Sequence, residues 1–375
     1  MIRLVNGARK DGSKVRVIST YDVDAVVASA VLIKYLLQID VRYEFLTLLD
    51  VDSSVLGEDV PTISFDSQFR ELKGGVCFVR GERQEIRKLG NALVVSAPYY
   101  SYAVLKALED FMVVTSDVRY FVLASMLSRY VPRIKVGPID DVVKGYIKEL
   151  VDLNALKVVR GLKVFNYSLV EVGRALNRTL DIFVPGFSGV SAEGDFKGLS
   201  EDELSREVLS KVFTFSQHKF LSSDVVGDNY FVNQDWFFRD VYEFLYALMT
   251  ISDIYGVQYI IASMVIPNYL PLVKFSYEGM LTQLMSTIYR VKEVGVQQIK
   301  KNVYKVRLNS LTALTPLSKV IKAYLVPSNS VIIYEVDNSL YMSLIDNTLE
   351  AVSSLVKGSY ERLGSLVRFK ELKGP

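Results

Sequence analysis

The apolar positions of this chain fall first into a short strand and then a long helix. Val15–Ile18 continues a β-branched run and reads as a buried strand. Ala25–Leu37, apolar and rich in helix formers, reads as a helix packed on it. Short strand-like segments follow at Val41–Leu48, Thr62–Phe65, Val76–Val79 and Ala92–Ser96, with helical spacing at Ser101–Phe111 and Tyr120–Tyr130. This alternation predicts a parallel sheet covered by helices, closed by the turn-rich Pro132–Pro138. From Asp140 to about Leu180 the spacing is helical (Asp141–Asn154, then Ser168–Asn177), and the glycine-rich Pro185–Ser200 is irregular. Ser200-Glu-Asp-Glu203 has the form of a capping box and opens the amphipathic Leu199–Lys219. Asp235–Ile251 is a strongly apolar helix whose aromatic residues, from Trp236 to Tyr246, recur all round it. The pattern then returns to α/β, with strands at Tyr259–Val265, Val303–Leu308, Val331–Val336 and Leu366–Phe369 and helices at Gly279–Val294 and Ser339–Leu355. The expected organisation is an α/β domain with a parallel sheet over residues 1–138, a helical connector with a glycine-rich loop over 139–234, and a smaller C-terminal α/β domain over 235–375.

Composition narrows the chemistry more than the fold. Lys and Arg number 44 against 42 Asp and Glu, so the whole chain makes no electrostatic case for nucleic acid and any such surface must be local. A single cysteine, Cys77, excludes an internal disulfide framework, and a single histidine, His218, removes most zinc sites and catalytic triads. Carboxylates remain as metal ligands, which favours magnesium or manganese. No stretch reaches the roughly 18 uninterrupted apolar residues of a membrane span, and the start lacks the apolar core of a signal peptide. The expectation is an intracellular protein with no membrane partner.

The chemistry-bearing stretch lies between the first strand and its helix, at Thr20-Tyr21-Asp22-Val23-Asp24. Two carboxylates at the carboxyl end of a strand stand where open α/β sheets place their ligands, although either can simply cap the helix that follows. Asp66 ends the Thr62–Phe65 strand in the same manner. The Gly7–Lys14 segment has P-loop spacing with Ser13 and Lys14 reversed, and it precedes a strand instead of following one, so it reads as a hairpin or entry turn.

Thr20-Tyr-Asp22-Val-Asp24-Ala25-Val-Val-Ala28-Ser29-Ala30 resembles the first motif of the DHH phosphoesterase family, the RecJ-like nucleases, with Thr20 in place of the leading histidine and Ala25 in place of the glycine. Asp66 occupies the second motif. The Asp-His-His of the third falls on Ala97-Pro98-Tyr99, and the aspartate of the fourth on the Ser125–Tyr130 region, where Arg129 stands. Gly173-Arg174-Ala-Leu followed by Pro185-Gly186-Phe-Ser188-Gly189 resembles the corresponding segment of archaeal RecJ-like proteins, and Lys357-Gly358-Ser-Tyr360-Glu-Arg362-Leu-Gly364 takes the place of the glycine-rich turn and histidine near the family's C-terminus.

The resemblance implies a DHH-type domain, a connector and the C-terminal domain paired with it. It also implies a catalytic centre largely replaced. Two-metal phosphodiester cleavage needs ions about 4 Å apart. Asp22, Asp24 and Asp66 are the vestige of that cage and hold, at most, one weakly bound magnesium or manganese ion. Thr20, Ala97, Pro98, Tyr99, Arg129 and Tyr360 mark lost motif positions. Lys357 and Arg362 remain as phosphate contacts and Tyr360 as a surface for base stacking. The branch with this combination is similar to the Cdc forty-five component of the CMG replicative helicase. It implies a non-catalytic, nucleoid-associated replication factor that binds the GINS complex and, through it, the MCM helicase, with contact to single-stranded DNA. The alternatives are a metal-dependent single-strand exonuclease or phosphodiesterase with a reduced site, and a single-strand-binding module acting alone.

Overall fold

All five residues of Val15–Ser19 (β1) are buried, because the strand lies inside a six-stranded sheet. Its companions are Tyr43–Thr47 (β2), Thr62–Phe65 (β3), Gly75–Arg80 (β4), Glu85–Leu89 (β5) and Ala92–Ala97 (β6), in the order β2-β1-β3-β4-β6-β5. Every pairing is parallel except that of β5 with β6. The computed structural model describes residues 1–47, 49, 60–65, 75–89, 92–189, 196, 199–216, 218–347 and 349–373. No helix among them is long and apolar enough to cross a membrane.

The chain divides into two compact units, Met1–Met126 with Val257–Tyr269, and Leu127–Gly256 with Leu270–Pro375. In the first, the Val23–Gln38 helix is buried from Val23 through Ile33 on all sides, as expected of a helix covered on more than its sheet-facing stripe. One cover is the Gln258–Val265 segment, which is a helix and not the expected strand. Short apolar runs are ambiguous between the two, and here Ile260, Ile261 and Met264 share a helical face while Lys34 donates to the Met264 carbonyl at 3.0 Å. The Gly7–Lys14 segment, expected as a hairpin or entry turn, is the end of a helix, Ile2–Asp11, which buries Val5 and Ala8, followed by a turn into β1 that starts at Gly12 in the left-handed conformation (φ 63°). Arg9 and Lys10 lie in the last turn of that helix, where cations complement the helix dipole.

The second unit carries a mixed sheet built from Gln297–Lys300 (β9), Val303–Arg307 (β10), Val331–Val336 (β11), Ser339–Ser343 (β12), Glu361–Leu363 (β14) and Leu366–Phe369 (β15), ordered β14-β15-β12-β11-β10-β9. Two ribbons accompany it, Leu156–Leu162 (β7) with Val226–Val232 (β8), and Val356–Lys357 (β13) with Glu371–Leu372 (β16). The helix expected over Ser339–Leu355 is instead β12 followed by a short helix, Leu349–Leu355. Asp337 and Asn338 both take positive φ (45° and 60°) and join β11 to β12, the geometry of a two-residue hairpin turn that Asp and Asn favour. The β7–β8 ribbon interrupts the stretch expected to be helical, and the apolar helix expected from Asp235 begins at Val241. Asp240 caps it, Oδ1 accepting from Tyr242 N (2.8 Å) and Glu243 N (3.1 Å).

Inside this unit Arg133, 4 % exposed, is a polar hub. Its backbone N–H and Nε donate to Asp181 (2.8 and 3.3 Å), Nη1 to Asn229 Oδ1 (2.9 Å), and Nη2 to the Lys163 and Asp181 carbonyls (both 2.7 Å), while the guanidinium lies 4.2 Å from the Tyr242 ring centroid. Such a buried charge is tolerated only when its donors find partners.

The Val172–Arg178 helix, which carries Gly173-Arg174, is locked to the Pro185–Gly189 turn. Ser188 Oγ accepts from Val184 N (2.9 Å) and donates to the Leu176 carbonyl (3.2 Å), and Gly189 N donates to the Asn177 carbonyl (2.7 Å). Tyr289, on the Leu270–Val294 helix, accepts from Gly186 N and donates to the Ser188 carbonyl, both at 2.9 Å. Gly186 (φ 82°) faces open space, whereas a Cβ on Gly189 (φ 74°) would stand 2.8 Å from Met285 Cβ. Gly186→Ala is expected to lose about 1–2 kcal/mol from its left-handed backbone alone. Gly189→Ala should lose roughly 1–3 kcal/mol more from overpacking; urea-unfolding midpoints that rank the two equally would contradict this packing.

Candidate functional site

The carboxyl ends of β1, β4 and β6 converge on Asp24, and the sequence places a helix start beside each carboxylate of the crevice. Asp22 caps the Val23–Gln38 helix, its Oδ1 accepting from Asp24 N (3.0 Å) and Ala25 N (3.2 Å). Asp24, in the first turn of that helix, has no solvent exposure. Its Oδ2 accepts from Tyr100 N (2.8 Å), and its Oδ1 from Ser101 N (3.0 Å) and Ser101 Oγ (2.5 Å), with Ser125 Oγ at 3.5 Å. Tyr100 and Ser101 open the Tyr100–Leu108 helix, so Asp24 serves as an anion held at that helix's amino end.

The remaining contacts come from a cation. Arg80, the last residue of β4, donates from Nη2 to Asp22 Oδ1 (2.6 Å) and from Nη1 to both Asp24 Oδ2 (2.8 Å) and the Pro98 carbonyl (2.9 Å). Its guanidinium lies 4.3 Å from the Tyr100 ring centroid. Burial works against the charged guanidinium, but Asp22 and Asp24 outweigh it and hold the Arg80 pKa above the ordinary arginine value. A divalent cation would need the same carboxylate oxygens that Arg80 and the helix amides already use. The described residues around Asp22 and Asp24 therefore do not fit a metal while Arg80 stays in place, and no group of three metal-ligating side chains occurs among the described residues.

The other sequence-derived positions distribute unevenly. Thr20 Oγ1 accepts from Asp22 N at 3.4 Å, so it borders the crevice. Ala97 is buried, Pro98 supplies its carbonyl to Arg80, and Tyr99 precedes the helix whose amides hold Asp24. Arg129 is exposed in the Ser128–Tyr130 turn, and the residue of the preceding helix that reaches Asp24 is Ser125. Asp66 lies outside the described residues. Lys357 is paired with Glu371 (3.1 Å), Tyr360 is 39 % exposed, and Arg362 is exposed on β14. These three belong to the second unit and the crevice to the first.

Two site residues escape the sequence reading. Arg80 is one; its signal is a cation ending an apolar strand, at the position where a sheet presents ligands. The other is Asp253, buried on the Val241–Tyr255 helix, which accepts from Thr315 N (2.6 Å), Thr315 Oγ1 (2.8 Å) and Ser365 Oγ (2.7 Å). Gly364, in the β14–β15 turn, makes room for this: a Cβ there would stand 3.1 Å from the Asp253 and Ser252 carbonyls. The glycine and serine ending the Lys357–Ser365 segment thus brace a carboxylate from below. Burial pushes the Asp253 carboxyl up to about 6.

No protein-family model matches the chain, and no curated protein matches it in sequence. Solved structures do match. The architecture described above has a parallel-sheet N-terminal region, intervening helices and a smaller C-terminal sheet, as the sequence predicts. In particular it is the fold of CDC45 from Entamoeba histolytica, to which the chain is similar with a TM-score of 0.57 at 12% identity, over 98% of this chain and 95% of that one. RecJ in complex with manganese from Thermus thermophilus matches at a TM-score of 0.48 and 9% identity, over 98% of this chain and 51% of that one. Exonuclease RecJ bound to manganese matches at 0.48 and 10% identity, over 98% and 88%.

Two outcomes follow from the buried carboxylates. Asp24→Ala leaves two buried helix amides and the Ser101 hydroxyl without their acceptor, while Arg80 keeps Asp22 and the Pro98 carbonyl; it is expected to destabilise the chain by about 3–5 kcal/mol, with Asp24→Asn less severe, and the measurement is urea unfolding. For Asp253 the folded-state pKa is raised, so the folded form binds the proton more tightly and the group's contribution to stability falls as pH rises from about 4 through about 6. Asp253→Asn should therefore gain on the wild type by roughly 2–3 kcal/mol across that interval; a flat difference between the two unfolding curves would refute the assignment.

Proposed function

We propose that this chain is a non-catalytic DNA-replication factor, built on a nuclease fold, that binds the GINS complex and supports the MCM replicative helicase. One observation carries the reading: the guanidinium of Arg80 bridges Asp22 and Asp24 at 2.6 and 2.8 Å, using the oxygens that a catalytic metal would require. An internal cation of fixed position satisfies these carboxylates and, unlike a hydrated magnesium or manganese ion, carries no water to activate. The loss of ligating side chains at Ala97, Pro98 and Tyr99 acts in the same direction. The fold shared with CDC45 supports a replication role, and GINS and MCM as partners come from the sequence resemblance. Single-stranded DNA contact belongs to the same reading, with Lys357, Tyr360 and Arg362 as its candidates.

The test has two arms. Purified chain incubated with end-labelled single-stranded DNA or RNA and manganese should leave the label at full length. Trimming that Asp22→Ala abolishes would instead make the protein a metal-dependent exonuclease with a reduced site. In the second arm, GINS subunits should co-purify with the tagged chain from its native cell extract, and their absence at low salt would overturn the partner assignment.

A further inference from the structure

A cleft of about 530 Å³ lies wholly within the second unit, a volume in the range of ligand sites. Its cations are Arg174, Arg178, Arg239 and Lys274, and its carboxylates Glu243 and Glu278. Arg178 takes both carboxylates, at 3.6 Å from Glu243 and 3.1 Å from Glu278. Among the described residues, Arg174 and Arg239 form no ion pair, and Lys274 acts on Glu243 without closing an ion pair to it. Three such cations in one concavity stand out in a chain whose formal net charge is only +2. The cleft also has an apolar side. Phe165, Ala175 and Phe238 are buried in its wall, while Phe237 and Val170 remain 42 % and 39 % exposed. Asn166 and Asn177 add amide side chains.

We infer that this cleft docks a short acidic peptide of a partner protein, whose Asp or Glu side chains meet Arg174, Arg239 and Lys274 and whose apolar side chain lies against Phe237 and Val170. Guanidinium groups bind carboxylates through paired N–H donors, and such charge-assisted bonds are about twice as strong as neutral ones. A nucleic-acid strand fits less well. Phe237 and Phe238 do not make a row of exposed rings, Phe238 being buried, whereas single strands are tracked by successive stacking platforms. The carboxylates and amides of the cleft suit a peptide instead, because backbone N–H and C=O groups can pair with them. The inference stands whether or not the Asp22–Asp24 crevice is catalytic.

The experiment is fluorescence anisotropy with the full chain and three labelled probes: a peptide alternating Asp or Glu with Leu and Phe, the same peptide with Asn and Gln for its acids, and an oligo-dT of similar length. The acidic peptide should bind, its amide counterpart should not, and Arg174→Glu, Arg239→Glu and Lys274→Glu should each weaken binding by roughly tenfold or more. Lys144→Glu, an equal charge change on the Asp141–Asp152 helix, controls for net charge and should leave binding as it was. Circular dichroism checks that each variant folds, which is expected because Arg174 and Arg239 are exposed. Absence of peptide binding, equal binding by all variants, or oligo-dT bound in preference and lost in the same three variants overturns the inference.

Discussion

A carboxylate removed from water must be surrounded by donors, and Asp24 sets this requirement for the first unit. Its two oxygens collect a guanidinium, two helix amides and a hydroxyl. To supply them, β4 must end in Arg80, β6 must deliver the chain through Pro98, and the Tyr100–Leu108 helix must start at the sheet's edge. Asp24 has zero exposure, and leaving its charge unmatched there exceeds what a marginally stable domain tolerates. The crevice geometry is therefore tied to folding, which gives these residues a reason to persist independent of turnover.

In the second unit Asp253 meets the same requirement without a cation. Asp253 also sits against the amino end of a helix, Leu314–Tyr324, and takes a backbone N–H and two hydroxyls. Lacking a guanidinium, it retains the desolvation penalty as a raised pKa. Its neighbour Asp346 shows the opposite balance. Burial pushes its pKa up, but Lys319 and Lys322, at 3.0 and 2.5 Å, outweigh burial and hold it below the usual carboxylate range.

Much of the first sheet is legible because its strands are short segments rich in β-branched and apolar residues: Thr62–Phe65 has the true ends of its strand, and Ala92–Ser96 falls one residue short. Tyr259–Val265 misleads for the same reason, since a short apolar run has no period of its own. Ser339–Leu355 misleads because a helical count gives no weight to Asp337-Asn338, a strong hairpin signal. The crevice is half legible. Asp22 and Asp24 stand out as carboxylates at a strand end, but a search for ligands of a cation overlooks a protein that brings its own, and Arg80 lies 56 residues from Asp24. Asp253 carries no local motif, and only the distant Thr315 and Ser365 give it meaning.

The first unit is discontinuous, its Val23–Gln38 helix being covered by residues that follow the entire Leu127–Gly256 stretch. On the ribosome the sheet and its helices therefore emerge without their last layer. Until Gln258–Val265 is made, apolar surface of the Val23–Gln38 helix stays open to water. Synthesis order thus couples completion of one unit to the emergence of most of the other, and a nascent chain stalled before Val257 presents a natural substrate for chaperones.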